Sequence, residues 1–218
     1  PRPLLARGPG SGKCAIPLDP GNPASLLPVM SGHDITVAIA TMGPRIDELI
    51  LPSQMAGFRY VIMVQRPPVR LPDSHRPDVT FVPLDCIGLS HSRNAALASC
   101  KTPYLVFADD DMTLDLEGLQ GLAHQMILDP RLDFAAGWRE GKMPSAGPRA
   151  GRHLLRKLNS GRICAPELMV RTATVREAGV LFDANFGIGA PNPVGEDYIF
   201  VCDMLDAGLR GEGFPIVT

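Results

Sequence analysis

The chain has 218 residues, of which 45% are hydrophobic and 20% are charged, the composition of an ordinary globular protein. Its formal net charge is -2, so it lacks the basic excess of most nucleic-acid-binding domains, and we expect no nucleic-acid partner. No apolar run approaches the ~18 residues that a membrane helix needs, and no secretory signal is visible. Five cysteines without a C-x-x-C pair argue against a disulfide framework, which favours free thiols and a cytoplasmic location.

The beginning of the chain differs in composition from the rest. Residues 1–30 are crowded with Pro and Gly and lack a sustained apolar period, which predicts an irregular arm. Within the arm, Gly8–Lys13 is similar to a phosphate-binding loop, but Arg7 and Cys14 stand where that pattern needs Gly and Ser or Thr. We therefore expect one compact domain over residues 31–218.

From residue 34 onward, apolar strands alternate with helices. The sequence predicts strands over Ile35–Thr41, Tyr60–Val64, Val79–Leu84, Tyr104–Ala108, Leu132–Trp138, Glu167–Arg171 and Phe214–Val217. It predicts helices over Arg45–Met55, Leu89–Cys100, Leu114–Leu128, Thr174–Ala178 and Glu196–Ala207. This alternation predicts an α/β fold with a mostly parallel central sheet and helices on both faces.

A basic loop over residues 138–162 interrupts the alternation. Between Arg139 and Arg162 it carries seven cationic residues and one anionic residue, with a short helix predicted over His153–Leu158. Such a loop is either a solvated segment or a clamp that meets phosphates or an anionic membrane surface. Trp138, at its start, either belongs to the core or stacks on an acceptor sugar.

The strongest local feature is the run Asp109-Asp110-Asp111 at the end of an apolar strand. Three adjacent carboxylates repel one another unless a cation neutralises them. Ligands of open α/β sheets bind at the carboxyl ends of strands, and oxygen-only ligands suit Mg²⁺ or Mn²⁺. The alternative is a solvated turn in which one aspartate caps the helix predicted from Leu114.

Two further polar features stand at predicted helix starts. Glu196 and Asp197 open a predicted helix. Acidic side chains at this place interact favourably with the helix dipole, which is one explanation for them. The other is that one of the two carboxylates deprotonates a hydroxyl group. The segment Gly88–Asn94 carries Arg93 and several hydrogen-bond donors at a helix N-terminus, a place that receives phosphates well. Arg93 could equally be a solvated helix residue.

Taken together, these features resemble glycosyltransferase family 2, the nucleotide-sugar transferases of the GT-A fold. The matching segments, in the family's order and spacing, are the first strand with Arg45, Gly88-x-Ser90-x-x-Arg93-Asn94, Phe107–Asp111, Phe182-Asp183 and Gly195-Glu196-Asp197. The resemblance runs from about residue 34 to residue 218. It implies a GT-A-like, Rossmann-type three-layer sandwich.

The resemblance also implies roles for the acidic run, which matches the D-x-D motif. Asp111 would bind a Mn²⁺ or Mg²⁺ ion that bridges the two phosphates of the donor, and Asp109 would share in the metal site beside the ribose. Asp110 lies between them as part of the nucleotide site. Thr41 and Arg45 would belong to the nucleotide cradle.

The remaining roles concern the base, the phosphates and the acceptor. Gln65 stands where the family usually has an aspartate that contacts the nucleobase, and an amide can still contact uracil. Arg93 would lie over the nucleotide or the aspartates. Asp197 would be the catalytic base, and Glu196 would orient the acceptor. The histidine that many relatives use as a further metal ligand would follow Thr218.

The implied activity is an inverting, metal-dependent transfer from a nucleotide-sugar donor, a UDP-sugar by family habit, to a saccharide or lipid-linked acceptor. No membrane span is expected, although the basic loop could touch a membrane peripherally. Two alternatives stay open. One is a non-catalytic protein that binds a nucleoside diphosphate and a metal ion. The other is a haloacid dehalogenase-type phosphatase with Asp109 as nucleophile and Asp111 as acid, although that family carries its motif on the first strand.

Overall fold

The computed structural model describes residues 34–218, so the predicted arm and the segment Gly8–Lys13 lie outside the described residues. Its strands are β1 (Ile35–Met42), β2 (Phe58–Gln65), β3 (Val79–Leu84), β4 (Tyr104–Asp109), β5 (Phe134–Trp138), β6 (His153–Leu154), β7 (Leu168–Arg171) and β8 (Gly211–Val217). Its α-helices are α1 (Leu89–Ser99), α2 (Leu116–Leu128), α3 (Thr172–Glu177) and α4 (Glu196–Asp206).

The strands form one sheet in the order β3-β2-β1-β4-β7-β5-β8-β6. The pairs β1–β2, β1–β4, β2–β3 and β5–β8 are parallel. Strand β7 is antiparallel to both β4 and β5, so β4 and β5 run in the same direction. The carboxyl ends of β1, β2, β4, β5 and β8 therefore meet at one edge of the sheet, where open α/β sheets bind their ligands.

Helices cover both faces of the sheet, which confirms the predicted three-layer α/β sandwich. Successive side chains of a strand point to opposite faces. Thus Leu105 and Phe107 of β4 pack with α1, α3 and α4, whereas Val106 and Ala108 pack with α2. Because both faces are covered, the central strands β1 and β4 are mostly apolar, as the sequence indicated.

One part of the core holds the start of α1 against the segment before α4. The side chain of Asn94 donates to the main-chain oxygen of Phe182 and accepts from its N–H, both at 2.8 Å. The Phe182 ring stacks on Phe200 with centroids 3.9 Å apart and meets Phe107 edge-on at 5.1 Å. These contacts fix the place of Arg93, whose guanidinium lies 5.4 Å from the centre of the Phe182 ring.

The predicted helix over Arg45–Met55 is wrong. The chain forms a 3₁₀ helix over Gly43–Glu48 that ends where the Leu49 N–H bonds to Ile46 O, and it is non-helical afterwards. Pro44 suits a helix start, but Pro52 has no N–H to donate and prevents continuation.

The predicted helix over His153–Leu158 is also wrong. His153–Leu154 is strand β6, antiparallel to β8, and a short 3₁₀ helix follows over Lys157–Asn159. Strand β8 starts three residues earlier than predicted because its glycines allow close packing. A Cβ at Gly211 would lie 2.0 Å from the Phe134 ring, and one at Gly213 would lie 2.4 Å from the His153 ring.

The expectation of free thiols holds for three of the described cysteines, Cys100, Cys164 and Cys202. Cys86, by contrast, forms a disulfide, which corrects the expectation at that position. Between residues 34 and 218, no helix has the length and apolarity to cross a bilayer. The cytoplasmic location stays a prediction.

Candidate active site

The aspartate run follows β4 at the carboxyl edge of the sheet, and its three side chains have different surroundings. Asp110 is held by the end of β1: it accepts a hydrogen bond from Thr41 Oγ1 at 2.6 Å and pairs with Arg45 Nη1 at 2.9 Å. The predicted cradle residues therefore do meet the aspartate run, and they do so through its central member. Asp111 is exposed.

Asp109 is the partly buried member of the run. Its Oδ1 lies 3.5 Å from Arg93 Nη2 but takes no hydrogen bond. Burial raises the pKa of the Asp109 carboxyl, and Arg93 opposes this while the neighbouring Asp111 and Asp110 add to it. The run does not cap the following helix, because Asp115 accepts from Gly118 N at 3.0 Å and takes that role.

Arg93 joins the aspartate run to the start of α4. It is only 4% exposed, and its Nη1 lies 2.5 Å from Asp197 Oδ1 and 3.3 Å from Glu196 Oε1. One guanidinium thus contacts carboxylates from β4 and α4, which the sequence separates by more than 80 residues. The alternative of a solvated Arg93 is wrong, because the side chain is buried in this network.

Asp197 has both carboxylate oxygens engaged. Oδ1 pairs with Arg93, and Oδ2 accepts from the backbone N–H of Ala165 at 3.0 Å. Burial raises the Asp197 pKa, Arg93 lowers it, and Glu196 adds to the rise. Ala165 belongs to the 3₁₀ helix Ala165–Glu167. Sequence analysis did not identify its N–H as a partner of Asp197, because any residue type can supply a backbone donor.

Gln65 and the start of α1 do not form an open phosphate site. Gln65 is 6% exposed, and its Oε1 accepts from Gly88 N at 2.6 Å. The next amide, Leu89 N, donates to Ile188 O at 2.9 Å, and Ser90 Oγ donates to Phe186 O. The loop before α4 therefore covers this helix N-terminus, and Gln65 keeps only its amide nitrogen for a nucleobase.

A cavity of about 450 Å³ opens beside the aspartate run. It is mostly apolar, and it is lined by Ile39, Arg45, Ile50, Leu51, Tyr60 and Leu114 together with Asp109–Asp111. The space lies where the predicted helix after β1 is replaced by the shorter 3₁₀ helix. It provides room next to the carboxylates for a planar or apolar part of a ligand.

The described residues contain no cluster of three or more His, Cys, Asp or Glu side chains positioned to hold a metal ion. Asp110 is occupied by Thr41 and Arg45, which leaves Asp109 and Asp111 as carboxylates of the run without a hydrogen-bond donor. A metal site here would thus have two protein ligands. The remaining ligands would have to come from the substrate and water.

The basic loop is tied to the body of the protein by ion pairs. Four of its seven cations face carboxylates: Arg139 and Arg162 face Glu167, Arg152 faces Glu212 and Asp129, and Lys157 faces Asp206. Trp138 is the last residue of β5 and is only 4% exposed, so its ring is not available to stack on an acceptor sugar. The cations of the loop that could contact an anionic surface are therefore mainly Lys142, Arg149 and Arg156.

Solved structures of similar fold include TarS and a mannosyltransferase. TarS from S. aureus in complex with UDP-GlcNAc has a TM-score of 0.59 and 15% identity, covering 84% of this chain and 57% of its own. The mannosyltransferase PcManGT from Pyrobaculum calidifontis, in complex with GDP-Man and Mn²⁺, has a TM-score of 0.56 and 15% identity, covering 85% of this chain and 56% of its own.

The chain spans little more than half the length of these two structures. No protein-family model matches the sequence, and no curated protein matches it. At this level of identity the likeness shows the fold alone. The chain has the fold of GT-A nucleotide-diphospho-sugar transferases, as the sequence predicted.

Proposed function

We propose that this chain is a glycosyltransferase that moves a sugar from a nucleoside diphosphate to an acceptor hydroxyl, with inversion at the sugar carbon. The observation that carries the proposal is the convergence of Asp109, Arg93 and Asp197 at the carboxyl edge of a GT-A sheet. A transferase of this kind needs a cationic site for the diphosphate and a base for the acceptor hydroxyl. Arg93 supplies one cation and Asp197 supplies the carboxylate, but three carboxylates surround Arg93, so the diphosphate also needs a second cation.

Asp197 is the proposed base. A carboxylate must be ionised to take the proton of the attacking hydroxyl, and its pKa must not be too low to hold that proton. Burial raises the pKa of Asp197, and the ion pair with Arg93 opposes this by favouring the ionised carboxylate. The Ala165 N–H fixes the orientation of the carboxylate, and Glu196, on the same guanidinium, lies beside it to orient the acceptor.

Asp109 and Asp111 would hold Mn²⁺ or Mg²⁺. Carboxylate oxygens are the donors that these ions prefer, and the buried Asp109 Oδ1 has no hydrogen bond that would compete. Magnesium commonly binds through one or two carboxylates with substrate phosphates and water completing its shell. When bound, such an ion neutralises the leaving diphosphate. Arg93 places a second cation beside it.

The proposed donor is a UDP-sugar. The Gln65 amide nitrogen is left to donate to a carbonyl of the base, because its oxygen is engaged by Gly88. TarS in complex with UDP-GlcNAc and PcManGT in complex with GDP-Man and Mn²⁺ support a nucleotide-sugar donor in general. The acceptor is a saccharide or a lipid-linked saccharide.

A non-catalytic nucleotide-binding protein is the second candidate. It is favoured by one observation, namely that both oxygens of Asp197 already have partners in this structure. Transfer then requires the substrate complex to loosen one of these contacts. The phosphatase hypothesis finds no support, since the acidic run follows β4 rather than the first strand.

Calorimetry and a transfer assay separate these candidates. We expect UDP to bind more tightly than GDP or AMP, and only in the presence of Mn²⁺. Asp197→Asn should lower transfer or donor hydrolysis by about 100-fold or more without changing UDP affinity. Asp206→Asn is the matched control, since it lies on the same helix, is exposed and pairs with Lys157.

Two results would contradict the proposal. Wild-type protein that binds UDP tightly but neither transfers nor hydrolyses any sugar would support the non-catalytic candidate. Full turnover in Asp197→Asn would show that this carboxylate is not the base.

A further inference from the structure

Arg162 and Trp138 form a stacked pair at the carboxyl end of β5. The guanidinium carbon lies 3.3 Å from the centre of a Trp138 ring, and Arg162 Nη1 donates to Gly137 O at 3.1 Å. Trp138 Nε1 is buried and has no hydrogen-bond partner. The stack holds the guanidinium plane in one orientation, with its second edge directed away from Gly137 O.

That second edge of Arg162, formed by Nε and Nη2, is buried and makes no hydrogen bond to any residue between 34 and 218. In two other arginines of the structure, the corresponding edge binds a carboxylate with two parallel hydrogen bonds. Arg76 binds Asp78 at 3.1 and 2.6 Å, and Arg131 binds Asp129 at 2.8 and 3.0 Å. Two shielded donors without a protein acceptor are costly, and this edge of a guanidinium has the geometry to bind an oxyanion.

The charge of Arg162 is also poorly compensated. Among the described residues it pairs with Glu167, whose Oε2 lies 3.8 Å from Arg162 Nη1 and forms no hydrogen bond with it. Glu167 is instead occupied by the N–H and the guanidinium of Arg139 and by the N–H of Cys164. Two guanidinium groups therefore share one carboxylate, which leaves a net positive charge at the stacked pair.

The position of the pair relates it to the candidate active site. β5 lies two strands from β4 in the sheet, about 10 Å away at the usual strand spacing, and both strands end at the same edge. Arg162 also precedes by three residues the Ala165 amide that binds Asp197. β5 lies on the opposite side of β4 from β1 and β2, and the base and ribose of the donor are expected near β1 and β2.

We propose that Arg162, held by Trp138, binds a phosphate group carried by the acceptor. That the phosphate is carried by an acceptor rests on the proposed function. The binding of a phosphate group by Arg162 does not depend on it. Phosphate oxygens accept the two parallel hydrogen bonds that the Nε and Nη2 edge offers, and the planar fork of arginine recognises them better than lysine does. Because both nitrogens are shielded, other residues of the basic loop must shift to admit the group.

Tryptophan fluorescence tests the site directly, because Trp138 is the only tryptophan in the chain. The full chain is titrated with inorganic phosphate at constant ionic strength and without nucleotide. We expect a saturable change in emission, weakened at least ~10-fold in Arg162→Lys, which keeps the charge but loses the fork. Arg156→Lys, a cation of the same loop without an ion pair among the described residues, should respond like the wild type. Acetate should produce a much weaker change.

The absence of a saturable response in the wild type, or an equal response in Arg162→Lys, overturns the proposal. An equal response to acetate overturns the assignment to phosphate in favour of a carboxylate. If Arg162→Lys does not fold, as judged by circular dichroism, Arg162→Gln replaces it. Since no donor is present, a failure of sugar transfer leaves this result unaffected, and the two proposals fail separately.

Discussion

Replacing Asn94 by alanine should destabilise the protein measurably, because this side chain holds the main chain of Phe182 with two hydrogen bonds of 2.8 Å. Phe182 is 2% exposed, so its N–H and C=O would lose their partners in a place that water hardly reaches. Each intramolecular hydrogen bond contributes about 1 kcal/mol net, and each buried polar group left unpaired costs about 1–3 kcal/mol. We expect a loss of about 2–4 kcal/mol in the free energy of unfolding.

Urea denaturation followed by circular dichroism measures this loss. Asn159→Ala is the matched control, because Asn159 makes the same pair of main-chain bonds, to Arg156 N and Leu154 O, at an exposed site. It should cost less than about 1 kcal/mol, as most surface changes do. Equal losses for Asn94→Ala and Asn159→Ala would refute the role assigned to burial.

Two further predictions concern pH and packing. Burial raises the Asp197 pKa, and the base must be ionised to act, so transfer should fall as the pH drops through a midpoint above ~3.9, the ordinary aspartate value. Arg93→Gln should move the midpoint higher, and a wild-type midpoint below the ordinary value would contradict this. Gly211→Ala should destabilise the fold by about 1–3 kcal/mol, because its methyl group would lie 2.0 Å from the buried Phe134 ring. Gly151→Ala, with open space around it, should leave the urea midpoint unchanged.

The fold was largely predictable because most strands are covered on both faces and are therefore written in the sequence as apolar runs. The misassigned segments are those in which packing overrides local pattern. Gly211 and Gly213 resemble a loop in sequence, yet they are strand residues that accommodate the rings of Phe134 and His153. The segment Arg45–Met55 was predicted as a helix, but its 3₁₀ helix ends at Glu48, and Pro52, which has no N–H to donate, prevents a longer helix.

The candidate site was predictable where it rests on strand ends and less so where it rests on contacts. That Arg93 would lie near Asp109 was implied by the resemblance to glycosyltransferase family 2, and the structure places the two side chains 3.5 Å apart. That Arg93 would also pair with Asp197 depends on how the chain crosses from β7 to α4, which no local pattern encodes. The Ala165 amide was missed altogether, since any residue type can supply a backbone N–H.

The charge balance around Arg93 bears on how a donor could bind. One buried guanidinium faces three carboxylates, those of Asp109, Glu196 and Asp197, so the described site is net negative. A diphosphate would be repelled from such a place unless another cation entered with it. The buried, unbonded oxygen of Asp109 is where that cation would gain most. If UDP bound equally well with and without a divalent ion, Arg93 alone would have to offset five or more negative charges, and the role proposed for Asp109 and Asp111 would be wrong.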